Sequence, residues 1–274
     1  PGMRRAALLA ALAVGLAAPA VAAGAPISGS RALGTVERLS ALGPRAAGTA
    51  AERRAGDLAA RRLRALGYRV GVQRVPLPGG GASRNVVALS RGPVRVVVAA
   101  HVDGVPPGPA AGDNASGVAA LLEVAGALAG RRGVLIAALG AEERVVTGSR
   151  LHLGSARLVR GLRRPPRAAI VLDMVGVGPL TAVRGLEARP APTARRLLAA
   201  ARALRLRATY MPDSGLSDHA EMTRAGWPAA WIQRRLDTCR HRPCDTPDRV
   251  SARALADSAR LVTRVAQAAL RTPR

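Results

Sequence analysis

The residues AAHVDGVPPGPAAGDNASG, positions 99–117, carry the chain from a strand through a loop into a helix. The apolar run 94–100 just before them is short and bounded, the pattern of a buried strand. His101-Val-Asp103 then opens a Pro/Gly-rich loop, and Gly112-Asp113-Asn114-Ala115-Ser116-Gly117 leads into an apolar helix. A strand end followed by a loop and a helix start is where an open α/β sheet places its ligand site. His101 and Asp113, both able to bind a metal, stand on that rim twelve residues apart. A metal site on that rim needs further ligands from the rest of the chain.

Working outward, apolar segments alternate between two periods. Residues 51–66 carry apolar side chains at spacings of three and four, an amphipathic helix stopped by Gly67. Strands are expected at 68–76, 85–89, 94–100, 133–139, 168–175 and 227–233. Helices are expected at 117–129, with Asp113 and Asn114 as capping residues, and at 147–162, 193–204 and 251–270. Residues 26–50 read as a turn-rich lead-in. Most strands are short and continuously apolar, which predicts a largely parallel sheet covered on both faces. With no internal repeat and no long linker, residues 26–274 read as one domain.

Composition narrows the setting. The chain has 274 residues, 49% of them hydrophobic, enough to bury a core. Arg4-Arg5, the apolar run 6–18 and the small residues that follow read as an export signal, cleaved by about residue 25. Thirteen apolar residues are too few to span a bilayer comfortably, so no stable membrane anchor is expected. Cys239 and Cys244 in an exported chain read as one local disulfide. The formal net charge of +25 comes entirely from arginine, since the sequence has no lysine. Those arginines are spread along the chain and aromatics are only 1%, so a nucleic-acid partner is not expected. An anionic cell surface stays open as a destination.

Polar groups recur where the expected strands end: His101 and Asp103, Glu142-Glu143, Asp173, and His241 within CRHRPCDT (239–246). One such residue alone is more often a cap or a surface group. The ends of parallel strands, however, converge on one rim. His101, Asp113, Glu143, Asp173 and His241 form an oxygen and nitrogen set that zinc takes. Two histidines and three carboxylates suit two zinc ions sharing Asp113, with a water between them. Glu142 is then free as general base and later general acid. Asp103 is expected to hydrogen-bond the other ring nitrogen of His101.

HVD (101–103), GDNASG (112–117), AEE (141–143), VLDMVG (171–176) and CRHRPCDT (239–246), in this order, resemble the secreted dizinc aminopeptidases of metallopeptidase family twenty-eight. SDH (217–219) and GPRAAGT (43–49) are also similar to that family, and the resemblance covers roughly residues 31–270. It implies a three-layer α/β/α sandwich with a mixed sheet, of the phosphorylase/hydrolase-like kind. It further implies that His101 and Asp173 complete one zinc site and Glu143 and His241 the other, with Asp113 bridging and Glu142 as base. The substrate it implies is a peptide with a free N-terminus, and the disulfide braces the His241 loop. A monomer is expected.

The sequence departs from that pattern at three places. Arg240 stands where relatives often have an oxyanion-stabilising tyrosine, and it either donates to an oxyanion or points to solvent. Arg144-Val145-Val146-Thr147 replaces a Gly-Leu-like step, and Met222 an aromatic. Asp218 and His219 either line the site or begin a helix with Asp218 as cap. His152 lies outside the motifs and reads as a surface residue, and Trp227 and Trp231 as core or pocket wall. N-terminal glutamine cyclisation on the same fold is associated with a single-zinc site lacking the first histidine; the presence of His101 argues against it. Intact Glu142 argues against a non-catalytic or anion-binding homologue.

Overall fold

The computed structural model describes residues 24–179, 181–234 and 237–271. The export signal therefore falls, but for its last two positions, outside the described residues. Eight strands form one sheet: β1 (Arg69–Pro76), β2 (Ala82–Leu89), β3 (Val96–His101), β4 (Val134–Leu139), β5 (Ala168–Leu172), β6 (Thr181–Gly185), β7 (Ala208–Pro212) and β8 (Ala229–Arg234), in the order β1-β2-β4-β3-β5-β8-β6-β7. The central strands β4, β3, β5 and β8 run parallel. β2 lies antiparallel to β4, and β6 antiparallel to β8. The sheet is mixed and largely parallel, as expected.

Alternation along the central strands feeds two cores. Val96, Val98 and Ala100 of β3 face one side, packing with helices α1 (Gly29–Ser40), α2 (Ala50–Ala65), α3 (Ser116–Ala127), α6 (Pro192–Ala203) and α8 (Ala252–Arg271). Val97 and Ala99 face the other, which α5 (Leu153–Arg160) and α7 (His219–Arg224) cover with Leu158 and Met222. Every residue of β3, β4 and β5 is buried, because each has helices on both faces. Trp227 and Trp231 are both in the second core.

Several elements differ from expectation. The segment 26–50 holds α1, capped by Ser28, whose hydroxyl accepts from Arg31 N–H. The helix expected at 147–162 is shorter, α5 alone, and a separate short helix α4 (Arg144–Thr147) precedes it, ended by the left-handed Gly148. β6 and β7 were not anticipated, and neither was the extent of α7. Of the two expected caps only Asn114 serves α3, its Oδ1 accepting from Gly117 N–H. Asp113 turns the other way.

Candidate metal centre

The parallel strands end on one rim, and the side chains expected there meet. His101 closes β3, Asp173 follows β5, and Glu142 and Glu143 follow β4. Asp113 stands in a tight buried turn whose N–H is held, with that of Gly112, by the carboxylate of Asp245 at 3.0 and 2.6 Å. The two oxygens of Asp113 divide between the histidines. Oδ1 lies 3.3 Å from His101 Nε2, and Oδ2 lies 3.2 Å from His241 Nε2. His101 Nε2 is also 3.4 Å from Asp173 Oδ1, and His241 Nε2 is 3.2 Å from Glu143 Oε2. One carboxylate thus stands between two histidine–carboxylate pairs.

Ligand-capable atoms of His101, Glu142 and Asp173 lie within 4.8 Å of one another, and so do those of His101, Asp113 and Glu143. His101 Nε2 and Asp173 Oδ1 are buried with no hydrogen-bond partner. Buried polar atoms without partners are costly, and a divalent cation among them would satisfy several at once. Electrostatics agree. Burial pulls the His101 imidazolium down, yet the carboxylates of Glu142, Asp173, Asp103 and Asp113 together raise it well above its ordinary range. Burial works to raise the Asp113 carboxyl, and contacts from His101 and His241 hold it far below. The donor set fits a divalent cation and carries more negative charge than its own histidines balance.

A model of peptidase family M28 matches residues 85–266, well over half of the chain. The chain belongs to peptidase family M28. Its fold is similar to BSAP, a zinc aminopeptidase from Bacillus subtilis, with TM-score 0.80, 20% identity and coverage of 89% of this chain and 95% of that one. It is also similar to a leucine aminopeptidase precursor from Bacteroides thetaiotaomicron (TM-score 0.77, 24% identity, 88% and 97% covered). A Zn-dependent exopeptidase from Parabacteroides distasonis gives TM-score 0.77 and 24% identity, with 91% of this chain and 100% of that chain covered. The uncharacterised protein YfbL of Escherichia coli (strain K12) is 37% identical over 124 residues, 40% of this chain. That match spans 38% of the length of YfbL.

In this M28 chain Asp103 does more than orient a histidine. His101 Nδ1 lies 3.2 Å from the Asp103 carbonyl oxygen and 3.6 Å from its carboxylate. The carboxylate instead accepts from the backbone N–H groups of Glu142 and Glu143, at 3.2 and 3.0 Å. One residue therefore ties the β3 end to the β4 end. Arg240 points into the rim, its Nε 3.1 Å from Asp113 Oδ2, with half of its side chain exposed. Asp218 occupies the first position before α7 but makes no capping bond. It is fully buried, and burial raises its carboxyl. The Cys239–Cys244 disulfide closes the loop that carries His241.

Two residues of the site were not anticipated. His152 is buried rather than on the surface, because the chain between α4 and α5 folds back over β4. Its Nδ1 lies 3.0 Å from Glu142 Oε1 and 3.1 Å from the Glu142 carbonyl, and its Nε2 lies 3.2 Å from the Gly215 carbonyl. Arg45, in the GPRAAGT segment, is 1% exposed and donates to the carbonyls of Val102, Leu39, Pro109 and Ala110. Burial lowers its guanidinium to about 10, so it stays charged and faces Asp103, Asp245 and Asp113.

Proposed function

We propose that this M28 chain is an exported aminopeptidase that removes N-terminal residues from peptides, its centre holding two zinc ions. The observation that carries the reading is the division of Asp113 between His101 and His241, each with its own second carboxylate. His101, Asp173 and Asp113 would hold one ion, and His241, Glu143 and Asp113 the other. Bound there, the ions would supply Lewis acidity and lower the pKa of a bound water.

The chain's own residues do the rest. Burial raises the Glu142 carboxyl to about 8 against the pull of His101 and His152, which suits a group that accepts and returns a proton near neutrality. Glu142 takes the proton of the attacking water and delivers it to the leaving amine. His152 fixes the carboxylate from behind. Arg240 offers its outward N–H groups to the developing oxyanion. The exopeptidase reading rests on membership of family M28 and on the likeness of the fold to aminopeptidases, with the amino group of a free N-terminus bound beside the ions.

The test uses the chain lacking residues 1–25, with zinc counted per chain and hydrolysis followed on aminoacyl amides. Two zinc ions with chelator-reversible turnover are expected. Glu142→Gln should keep both ions and lose about 10²–10⁴ of kcat. Unchanged turnover in that variant would remove Glu142 from the mechanism, and absence of bound zinc would remove the reading altogether.

A further inference from the structure

The pole opposite the metal centre is built where the parallel strands begin. Three connections meet there: 90–95 leading into β3, 128–133 leading into β4 and 161–167 leading into β5. They carry Arg91 and Arg95, then Arg131 and Arg132, then Arg163, Arg164 and Arg167. Seven of these nineteen residues are arginine and none is acidic, against 42 arginines in 274 residues overall. The end of α8 joins them, since Arg95 Nη1 donates to the Leu270 carbonyl at 3.2 Å, and it adds Arg271. Arg91, Arg131, Arg132, Arg163 and Arg164 are exposed, and among the described residues none of the five forms an ion pair within 4 Å.

The surface they frame is not flat. A groove of about 640 Å³ runs between Arg95, Arg163 and Arg164 over an apolar floor of Leu89, Val94 and Leu162. Smaller grooves of about 340 and 360 Å³ adjoin it around Arg131 and Arg132. Arginine abundance alone would put guanidinium groups on every face. It would not clear one pole of carboxylates and set apolar side chains among the cations. Six of the 17 acidic residues, Asp103, Asp113, Glu142, Glu143, Asp173 and Asp245, line the opposite rim, and none stands in the three connections. The molecule therefore carries a charge axis along its strands.

We infer that this pole docks the protein on an anionic phospholipid surface, with the metal centre facing away from the membrane. Guanidinium groups match phosphate with paired N–H donors, and the apolar floor fits the boundary between headgroups and acyl chains. Nucleic acid is the weaker partner, because the pole offers no exposed aromatic ring for base stacking. No described helix is long and apolar enough to cross a membrane, so the attachment is peripheral and electrostatic. The inference does not depend on the catalytic reading.

The test is co-sedimentation with vesicles of phosphatidylcholine alone or with about 30% phosphatidylglycerol, at low and at moderate salt. The chain without residues 1–25 should bind only the anionic vesicles and release with salt. Replacing Arg131, Arg132, Arg163 and Arg164 together by Gln should weaken binding at least about a hundredfold. A charge-matched control, Arg54→Gln, Arg202→Gln, Arg207→Gln and Arg253→Gln, removes four arginines from the rim half and should bind nearly as wild type. Thermal unfolding of both variants checks that they fold. Equal loss in both variants would mean a response to net charge only and would overturn the pole. Absence of vesicle binding overturns the proposal as well, and pole-dependent capture of duplex DNA in that case would assign the surface to nucleic acid.

Discussion

As the proposed base, Glu142 depends on the residues behind it. A carboxylate beside a metal centre has several rotamers open to it, and His152 selects one by contacting both its Oε1 and its carbonyl. The Gly215 carbonyl holds the far side of the imidazole. His152→Ala is expected to lower kcat about tenfold to a hundredfold while leaving zinc content and KM close to wild type. His152→Gln, which keeps one donor, should recover part of the loss. A uniform drop in stability with kcat unchanged would reduce His152 to packing. Backbone conformation marks the same neighbourhood. Of the five described non-glycine residues with positive φ, Ala110, Ala141 and Met174 lie beside site residues and His241 is one. Such strain persists where surrounding structure holds it, and it gathers at functional sites.

At the scale of elements, the site depends on how loops are pinned. The chain 102–110 leaves β3 and must return to place Asp113 opposite His101. Arg45 anchors it from the segment between α1 and α2, giving one guanidinium to Val102, Pro109 and Ala110 at 2.7–3.0 Å. Arg45→Met fills similar volume and leaves those carbonyls buried without donors. It should cost about 3 kcal/mol or more in urea unfolding and weaken zinc retention. This dependence was not legible in the sequence, where Arg45 is one arginine among 42. The helix α1 was hidden for a related reason. Its Gly29, Gly34 and Thr35 are poor helix formers, and it is held by burying Ala32, Val36 and Leu39 in the core shared with α3 and α8. β6 and β7, five residues each, are too short for a period to declare itself.

For the whole molecule, charge placement matters more than charge total. Buried carboxylates at the rim mean that pH acts first on the rim and its supports. Glu52 of α2 is such a support. Its carboxylate is buried, accepts from Gly48 N–H at 2.6 Å and meets the Ser83 hydroxyl. Burial raises it from 4.5 to about 7. Between those values the folded chain keeps a proton that the unfolded chain has released, so this group's contribution to stability falls as pH rises. Urea unfolding at pH 4.5 and pH 7 should show the wild type losing on the order of 2 kcal/mol relative to Glu52→Gln across that window. Parallel pH dependence in the two proteins would mean that Glu52 titrates normally.

The sequence by itself determined the alternation of strands and helices, the largely parallel sheet, and the five residues His101, Asp113, Glu143, Asp173 and His241 that meet on one rim. Four of them sit where an apolar run ends or a glycine-flanked turn begins, and parallel strands bring such ends together, while His241 was marked by the cysteine loop around it. Tertiary structure alone decided what those residues lean on. Whether a histidine is surface or buried, which carbonyls an arginine serves, and whether Asp103 bonds an imidazole or two backbone N–H groups depend on distances between segments far apart in the chain. The same holds for the arginine pole. Three loops separated by about forty and thirty residues form one surface only because β3, β4 and β5 start side by side in the sheet.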